Sequence, residues 1–280
     1  MIGNSGKVSC TTAINSAARL IRAAGRQVLC DAATAAVSAI KATVFPDAAA
    51  LARQVDLLLV FGGDGTMLRV AREIAGTHTP MLGINIGGLG FLTAVPSDEL
   101  ERALRHVWAG EFKFERRALI AATGKCDGFT LRETALNDVV IGRGVVSRLI
   151  ELDVDGEPLT RYRCDGLIVS SPTGSTAYSL SAGGAVVFPT ADVFALTPIC
   201  PHTLSNRSLM LPLTSTIHVK VISPKPSTIL SADGQVVSEL SAGDVVTIRR
   251  SRDTVRLMHL ADSSFFEALR RKLHWRGANV

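Results

Sequence analysis

The chain predicts an α/β domain with a parallel sheet, then a β-rich domain and a closing helix. Three observations carry that expectation. Continuous apolar runs alternate with helix-period segments up to about residue 117, the pattern of strands buried on both faces and covered by helices. Period-two alternation takes over beyond that point, as in half-buried antiparallel strands. The stretch 263–275 then spaces Phe265, Leu269 and Leu273 four apart, with Arg270, Arg271 and Lys272 beside them, an amphipathic helix. The expected boundaries are 1–117, 118–260 and 261–280.

Taken in order, residues 13–24 place Ile14, Ala17, Ala18 and Ile21 on one helical face and stop at Gly25. Residues 27–31 suit a short strand and 47–54 a helix. Leu57, Leu58, Leu59, Val60 and Phe61 form an unbroken apolar run that breaks at Gly62, Gly63, Asp64, Gly65 and Thr66. The helical period resumes with Met67, Leu68, Ala71 and Ile74. Residues 81–86 are a second apolar run ending in glycines, and 98–109 a helix. Later, Ile150, Leu152 and Val154 alternate with acids, and a turn at Gly156, Glu157 and Pro158 leads into Thr160, Tyr162 and Cys164. Ile217, Val219 and Val221 alternate again, Val246 and Ile248 follow, and 255–260 reads as a further stretch. Turn signals at Asp155-Gly156, Asp233-Gly234 and Ala242-Gly243 separate them. The final helix is expected to fold back on the body rather than lie on a membrane surface.

Composition narrows the partners. Of the 280 residues 47% are hydrophobic and 20% charged, enough to bury a core and too apolar for global disorder. The net charge of +5 arises from 30 basic and 25 acidic residues without a dense basic block. Nucleic acid is therefore not the default partner, and a polyanionic small molecule suits the charge equally. Aromatics at 5% argue against a stacking platform for single strands. Cys10, Cys30, Cys126, Cys164 and Cys200 are scattered and never in a CxxC pair, which speaks against a disulfide framework or a structural zinc site and for a reducing compartment. No apolar run approaches the ~18 residues of a membrane helix, and the first nine residues lack a signal peptide's apolar core. A cytoplasmic protein without a membrane partner is the expectation.

Two loops carry chemistry. A glycine-rich turn between a buried strand and a helix, as at 62–66, offers backbone N–H groups and a helix N-terminus to phosphate oxygens. Asp64 stands out there, because a carboxylate repels phosphate. It suits either the N-cap of a tight turn, or a group that takes a proton from an attacking hydroxyl or holds Mg²⁺. No Gly-Lys-Ser/Thr follows, so the loop is not a Walker A motif. Arg69, one turn on, either faces the same phosphates or is solvated. The second loop, 165–184, opens with a buried strand and crowds Ser170, Ser171, Thr173, Ser175 and Thr176 within seven positions. Hydroxyls donate and accept, and so suit a sugar-phosphate; a Ser/Thr-rich surface turn is the alternative. Tyr178, one of two tyrosines, can stack on a base. Asn137 and Asp138 enter the run Val139-Val140-Ile141, and need partners if buried unless they simply cap the strand.

Gly62-Gly63-Asp64-Gly65-Thr66, the segment 85–93 (NIGGLGFLT), Leu136-Asn137-Asp138, the segment 165–184 and Asp233-Gly234-Gln235 occur in the order found in bacterial NAD kinases. The segments 198–202 (PICPH) and 266–275 (FEALRRKLHW) resemble that family too, so the resemblance covers roughly 56–276. The glycine loop alone also resembles diacylglycerol and sphingosine kinases and phosphofructokinases; Pro-Thr-Gly-Ser-Thr-Ala-Tyr after a strand is far more specific. The resemblance implies a Rossmann-like N-terminal domain of the NAD kinase/diacylglycerol kinase type and a β-sandwich-like C-terminal one. It implies ATP, NAD and a divalent metal (Mg²⁺), and phosphorylation of the adenosine ribose 2′-hydroxyl with Asp64 as proton acceptor. Gly62, Gly63, Gly65 and Thr66 would hold phosphate, with Gly65 and Arg69 beside the nucleotide. Asn137, Asp138, Arg148, Arg163, Asp165, Thr176, Ala177, Tyr178, Ser179, Leu180, Ser181 and Gln235 would contact NAD. Homodimers or homotetramers are implied as well. Two departures stand: the N-terminus offers only Lys7-Val8-Ser9-Cys10 as a weak first strand, and Ser171 replaces the usual threonine. A lipid kinase and a dinucleotide sensor are the rival readings; the first wants an apolar groove, the second has no use for Asp64.

Overall fold

The computed structural model describes residues 1–3, 8–38, 40–88, 90–93, 95–126, 129–142, 148–202, 207–222 and 228–275. They form two compact units, Met1–Arg116 with Val255–Val280, and Arg117–Thr254.

The first unit is built on parallel strands. Leu58–Gly62 pairs with Ile2–Gly3 on one side, Ile2 opposite Val60, and with Met81–Asn85 on the other, Gly62 opposite Asn85. Met81–Asn85 also pairs with Val95–Pro96, and Leu257 runs parallel against Met81. Every residue of Leu58–Gly62 and Met81–Asn85 is buried, which is why their apolar runs are unbroken rather than alternating. The helix Val8–Ala23 lays Cys10, Ile14, Ala17 and Ala18 into a core shared with Phe61, Leu82 and Ile84, with Leu100, Ala103 and Leu104 of the helix Leu100–Ala109, and with Met258 and Leu260. Leu100–Ala109 ends where Gly110 takes a left-handed conformation (φ 77°), the usual glycine stop. The expected helix at 47–54 is Ala48–Ala52, whose N-cap Asp47 accepts from the Ala50 amide at 2.7 Å.

The weak strand expected at 7–10 is not formed. Val8, Ser9 and Cys10 open the helix Val8–Ala23, the first strand is Ile2–Gly3, and Lys7 lies outside the described residues. The reason is visible in the spacing: Cys10 precedes Ile14 by four and so extends the apolar helical face of Ile14, Ala17 and Ala18 backwards.

The second unit contains two antiparallel sheets. One pairs Arg148–Val154 with Glu157–Cys164 and Ile217–Val221, and Ile217–Val221 with the first part of Val245–Leu260; the hairpin of Phe112–Cys126 with Phe129–Ala135 joins that strand. The other runs in the order Leu209–Pro212, Val193–Ile199, Gly166–Ser170, Asp138–Gly142, Thr228–Ala232, Gln235–Leu240. Inward residues of both, among them Ile141, Leu152, Val169, Val219, Leu230 and Ile248, make one core. Two expectations shift. The turn is Asp155-Gly156, with Asp155 at φ 55°, and Glu157 and Pro158 already belong to the strand. The stretches at 246–248 and 255–260 are a single strand, Val245–Leu260, whose first part belongs to this unit and whose last part to the other. Among the described residues, no helix is long and apolar enough to cross a membrane.

Candidate active site

In the first unit, the strand Leu58–Gly62 delivers the chain to Gly63, the N-cap of the helix Asp64–Glu73, and no side chain caps that helix. The Thr66 and Met67 amides turn back onto the Gly63 carbonyl at 3.0 and 3.2 Å, leaving the Asp64 and Gly65 amides at the helix start without an intrahelical acceptor. Gly62 must be glycine, since a Cβ there would lie 2.3 Å from Thr66 Oγ1. The N-cap alternative for Asp64 is thus not realised: Asp64 is the first residue inside the helix, and its carboxylate reaches across to the loop after Met81–Asn85. Oδ2 accepts from the Phe91 amide at 2.8 Å; Oδ1 accepts from the Leu92 and Thr93 amides at 3.0 and 3.3 Å and from Thr93 Oγ1 at 3.3 Å. Gly90 permits the approach, because a Cβ there would sit 2.0 Å from Asp64 Oδ1. Half-buried Arg69 donates to both carboxylate oxygens of Glu73, one helical turn on, at 2.8 and 3.1 Å, so its charge is engaged along its own helix. Asn85 and Gly87 border a cavity of about 200 Å³ with Pro96, Ser97, Asp98 and Arg271. Lys272, on the helix Phe265–Lys272, lies 5.1 Å from the centre of the Phe91 ring, a cation–π contact that brings the closing helix to the same loop.

The hydroxyl-rich loop of the second unit behaves differently from the expectation. Ser170, Ser171, Thr173 and Ser175 are buried, and their hydroxyls are paired within the protein. Ser171 Oγ donates to the Leu136 carbonyl at 2.5 Å, Ser170 Oγ to the Ser171 carbonyl at 2.8 Å, and Ser175 Oγ to the Pro172 carbonyl at 2.7 Å while accepting from the Val187 amide at 2.9 Å. Thr173 Oγ1 accepts from the buried Arg117 at 3.3 Å. Buried hydroxyls must be paired, and in a short 3₁₀ turn (Thr173–Thr176) the nearest acceptors are the loop's own carbonyls. Thr176 is half-buried and donates to the Thr173 carbonyl at 3.2 Å. Ser179 is buried with its hydroxyl 3.0 Å from Thr197 Oγ1. What this segment leaves accessible is the exposed Tyr178 ring, the exposed Ser181, and half-buried Ala177 and Leu180.

The backbone of Asn137 and Asp138 is paired where it enters the strand Asp138–Gly142. Asp233 accepts from the Leu136, Asn137 and Asp138 amides at 3.0, 2.7 and 3.4 Å, and the Asn137 carbonyl accepts from the Ser171 amide at 2.8 Å. Gly174 packs so close that a Cβ would lie 2.2 Å from that carbonyl. Burial, aided by the nearby charge of Asp233, pushes the Asp138 carboxyl up to about 7. Asp165 lies half-buried between Glu157–Cys164 and Gly166–Ser170, its amide on the Ile199 carbonyl at 2.9 Å. Arg163 is exposed and Arg148 stands opposite Cys164 in register, its side chain outside the described residues. Gln235 is exposed, opposite Ala232. Each unit thus gathers its own share: Gly62–Thr66 with Asp64 in one, and Asn137, Asp138, Asp165, Thr176–Ser181 and Gln235 in the other.

Sequence reasoning assigned no role to Asp233, Gly90, Thr93 or Asn85. Asp233 was visible as a turn signal and as part of the segment Asp233-Gly234-Gln235, but not as an acceptor; it takes a left-handed conformation (φ 48°) in that turn. Among the described residues, no three His, Cys, Asp or Glu side chains are placed to hold a metal ion together.

Residues 9–112 match the ATP-NAD kinase N-terminal domain and 136–260 the ATP-NAD kinase C-terminal domain. The chain belongs to the ATP-NAD kinase family. NAD kinases of Moorella thermoacetica (48% identical over 77% of this chain and 70% of that one) and Polaromonas naphthalenivorans (40% over 94% and 91%) are among its relatives. In three dimensions it resembles yeast NADH kinase complexed with NADH, at TM-score 0.89 and 26% identity, covering 99% of this chain and 87% of that one. The fold is also that of an NAD kinase from Archaeoglobus fulgidus, at TM-score 0.76 and 24% identity over 99% and 98%. Membership in this kinase family makes the chain an enzyme and sets aside the lipid-kinase and sensor readings. Its parallel α/β unit and its antiparallel β-rich unit are the fold that the sequence predicted.

Proposed function

We propose that the chain transfers the terminal phosphoryl group of ATP to the 2′-hydroxyl of the adenosine ribose of NAD, with Asp64 as the proton acceptor. The reaction class, ATP-dependent phosphorylation of NAD to NADP, comes with the family. The finer assignments rest on the residues. As the ribose O–P bond forms and the bond to the ADP oxygen breaks, the hydroxyl proton passes to Asp64 and then to solvent, giving NADP and ADP. No phosphoenzyme is needed, so the work is positioning and charge stabilisation. The open amides of Asp64 and Gly65 at a helix N-terminus suit phosphate oxygens. Tyr178, exposed and aromatic, suits a base; Asn137, Asp165, Thr176, Ser181 and Gln235 suit ribose and amide groups of the dinucleotide.

The observation that carries the assignment is the state of the Asp64 carboxylate. It is half-buried and held in one direction by four donors, and unlike other carboxylates clasped by amides it stands at the glycine-rich start of its helix, beside the open amides that suit phosphate. One carboxylate at the loop suits magnesium brought with ATP as substrate rather than held by the protein, and bound there the ion would supply charge neutralisation on the transferring phosphate. Family resemblance further supports self-association, which light scattering reads as a multiple of 29.6 kDa.

The test is Asp64→Asn in an NADP-coupled assay with NAD and ATP. Turnover should drop by ~10²–10⁴, the share of a general base, while NAD still binds. Near-normal turnover in that variant removes Asp64 from the proton-accepting role.

A further inference from the structure

The segment 85–93 was singled out in the sequence without any role for its side chains. In the structure Thr93 is completely buried and Asn85 nearly so. Thr93 Oγ1 lies 3.3 Å from Asp64 Oδ1 and 3.1 Å from Asn85 Nδ2. The donor order follows from the chemistry of the ends. Asn85 Nδ2 also donates to the Gly88 carbonyl at 2.9 Å, which only accepts, so this atom is the amide nitrogen. The nitrogen therefore donates to the Thr93 oxygen, and the Thr93 hydroxyl is left to donate to the Asp64 carboxylate. The rotor of a free hydroxyl is fixed in one direction.

The oxygen count then singles out one carboxylate atom. Oδ1 accepts three hydrogen bonds and Oδ2 one, from Phe91. A carboxylate offers about two lone-pair sites on each oxygen, so Oδ1 is saturated and Oδ2 keeps one site open.

We propose that Thr93, oriented by Asn85, is a positioning residue that ties up Asp64 Oδ1 and presents Oδ2 as the atom that takes the proton. The proposal rests on Asp64 being the proton acceptor. Thr93 is fully buried, and its hydroxyl acts through Asp64. A Thr93 that only packed the core would respond differently to loss of its hydroxyl, and the experiment separates the two.

Thr93→Val keeps shape and removes the hydroxyl; Thr93→Ser keeps the hydroxyl. Both are made in the native chain and in Asp64→Asn, and kcat and the NAD KM are measured. Thr93→Val should lower kcat ~10-fold or more with the NAD KM within ~2-fold, since misplacing a reacting group costs rate rather than binding. Thr93→Ser should stay within ~3-fold of the native kcat. In the Asp64→Asn background Thr93→Val should change kcat by less than ~2-fold, because residues that act as one unit are not additive. Should Thr93→Val fail to fold, Asn85→Asp is the substitute: it swaps the donor for an acceptor that competes for the Thr93 hydroxyl, and the same kcat loss is expected. Equal losses in both backgrounds, equal impairment of Thr93→Ser and Thr93→Val, a loss confined to KM, or native kcat in the variant that folds would each overturn the positioning role. If Asp64→Asn itself turns over normally, the proton-acceptor reading fails and the positioning role goes with it.

Discussion

Asp64 and Asp233 perform the same act in different units. Each carboxylate gathers three consecutive backbone amides: Phe91, Leu92 and Thr93 in one case, Leu136, Asn137 and Asp138 in the other. The surroundings differ. Asp64 opens a helix, is joined by a hydroxyl, and keeps one oxygen site free. Asp233 sits in a left-handed turn beside the buried Asp138, whose carboxyl its charge helps to push up. One clasp aims a side chain, and the other aims a backbone. Identical local chemistry is thus put to opposite ends, and only the neighbours distinguish them.

The comparison can be broken in several places. The largest effect should be on pH dependence in the second unit. The folded Asp138 holds its proton up to about 7, well above the ordinary 3.8. Between those values the folded chain binds a proton that the unfolded chain has released. Stability therefore falls, by a few kcal/mol, as pH rises from about 4 to about 7, and this contribution is flat above that. Asp138→Asn should flatten the slope in urea unfolding; an unchanged slope assigns it to other groups. Next, Asp233→Ala strips three amides of their acceptor and should cost about 3 kcal/mol, whereas activity per folded molecule should fall mainly through NAD binding. On the other side, Gly90→Ala pushes a Cβ into Asp64 Oδ1 and Thr93 Oγ1. A kcat loss of ~100-fold is expected with the NAD KM kept; retained kcat would show that the clasp does not aim Asp64. Smaller still is Ser175→Ala, about 1–2 kcal/mol of stability with no change in NAD KM, since that buried hydroxyl is paired with the Pro172 carbonyl and the Val187 amide. Smallest is Tyr178→Ala, an NAD KM rise of ~5-fold at unchanged thermal midpoint. If those last two signatures were exchanged, the division between structural hydroxyls and an accessible ring would be wrong.

Much of this was legible in the chain itself, and the failures have physical causes. The runs at 57–61 and 81–86 announced buried parallel strands because strands covered on both faces are mostly apolar. Glycines at 62–66 announced the strand-to-helix turn. Asp64 was visible as an anomaly of charge, but its partners were not, since they lie 27–29 residues away. For Arg69 the sequence left a phosphate-facing and a solvated reading open and overlooked Glu73, one turn on along the helix it predicted. In the hydroxyl loop the pairing was hidden for a different reason: composition reports what a segment can bond to, while only the fold shows which partners lie within the chain. Thr93 and Asn85 left no signal beyond their place in a recognisable segment, since a relay between two loops has no local period.

The strand Val245–Leu260 has a consequence for how the protein comes to be. Met258 and Leu260 fill the α/β core, and Lys272 lies over Phe91. A ribosome that has released the first 116 residues has therefore made most of a core that still lacks a wall. The unit begun first is completed last, when the tail emerges, and until then its exposed aliphatic surface is what a chaperone would see.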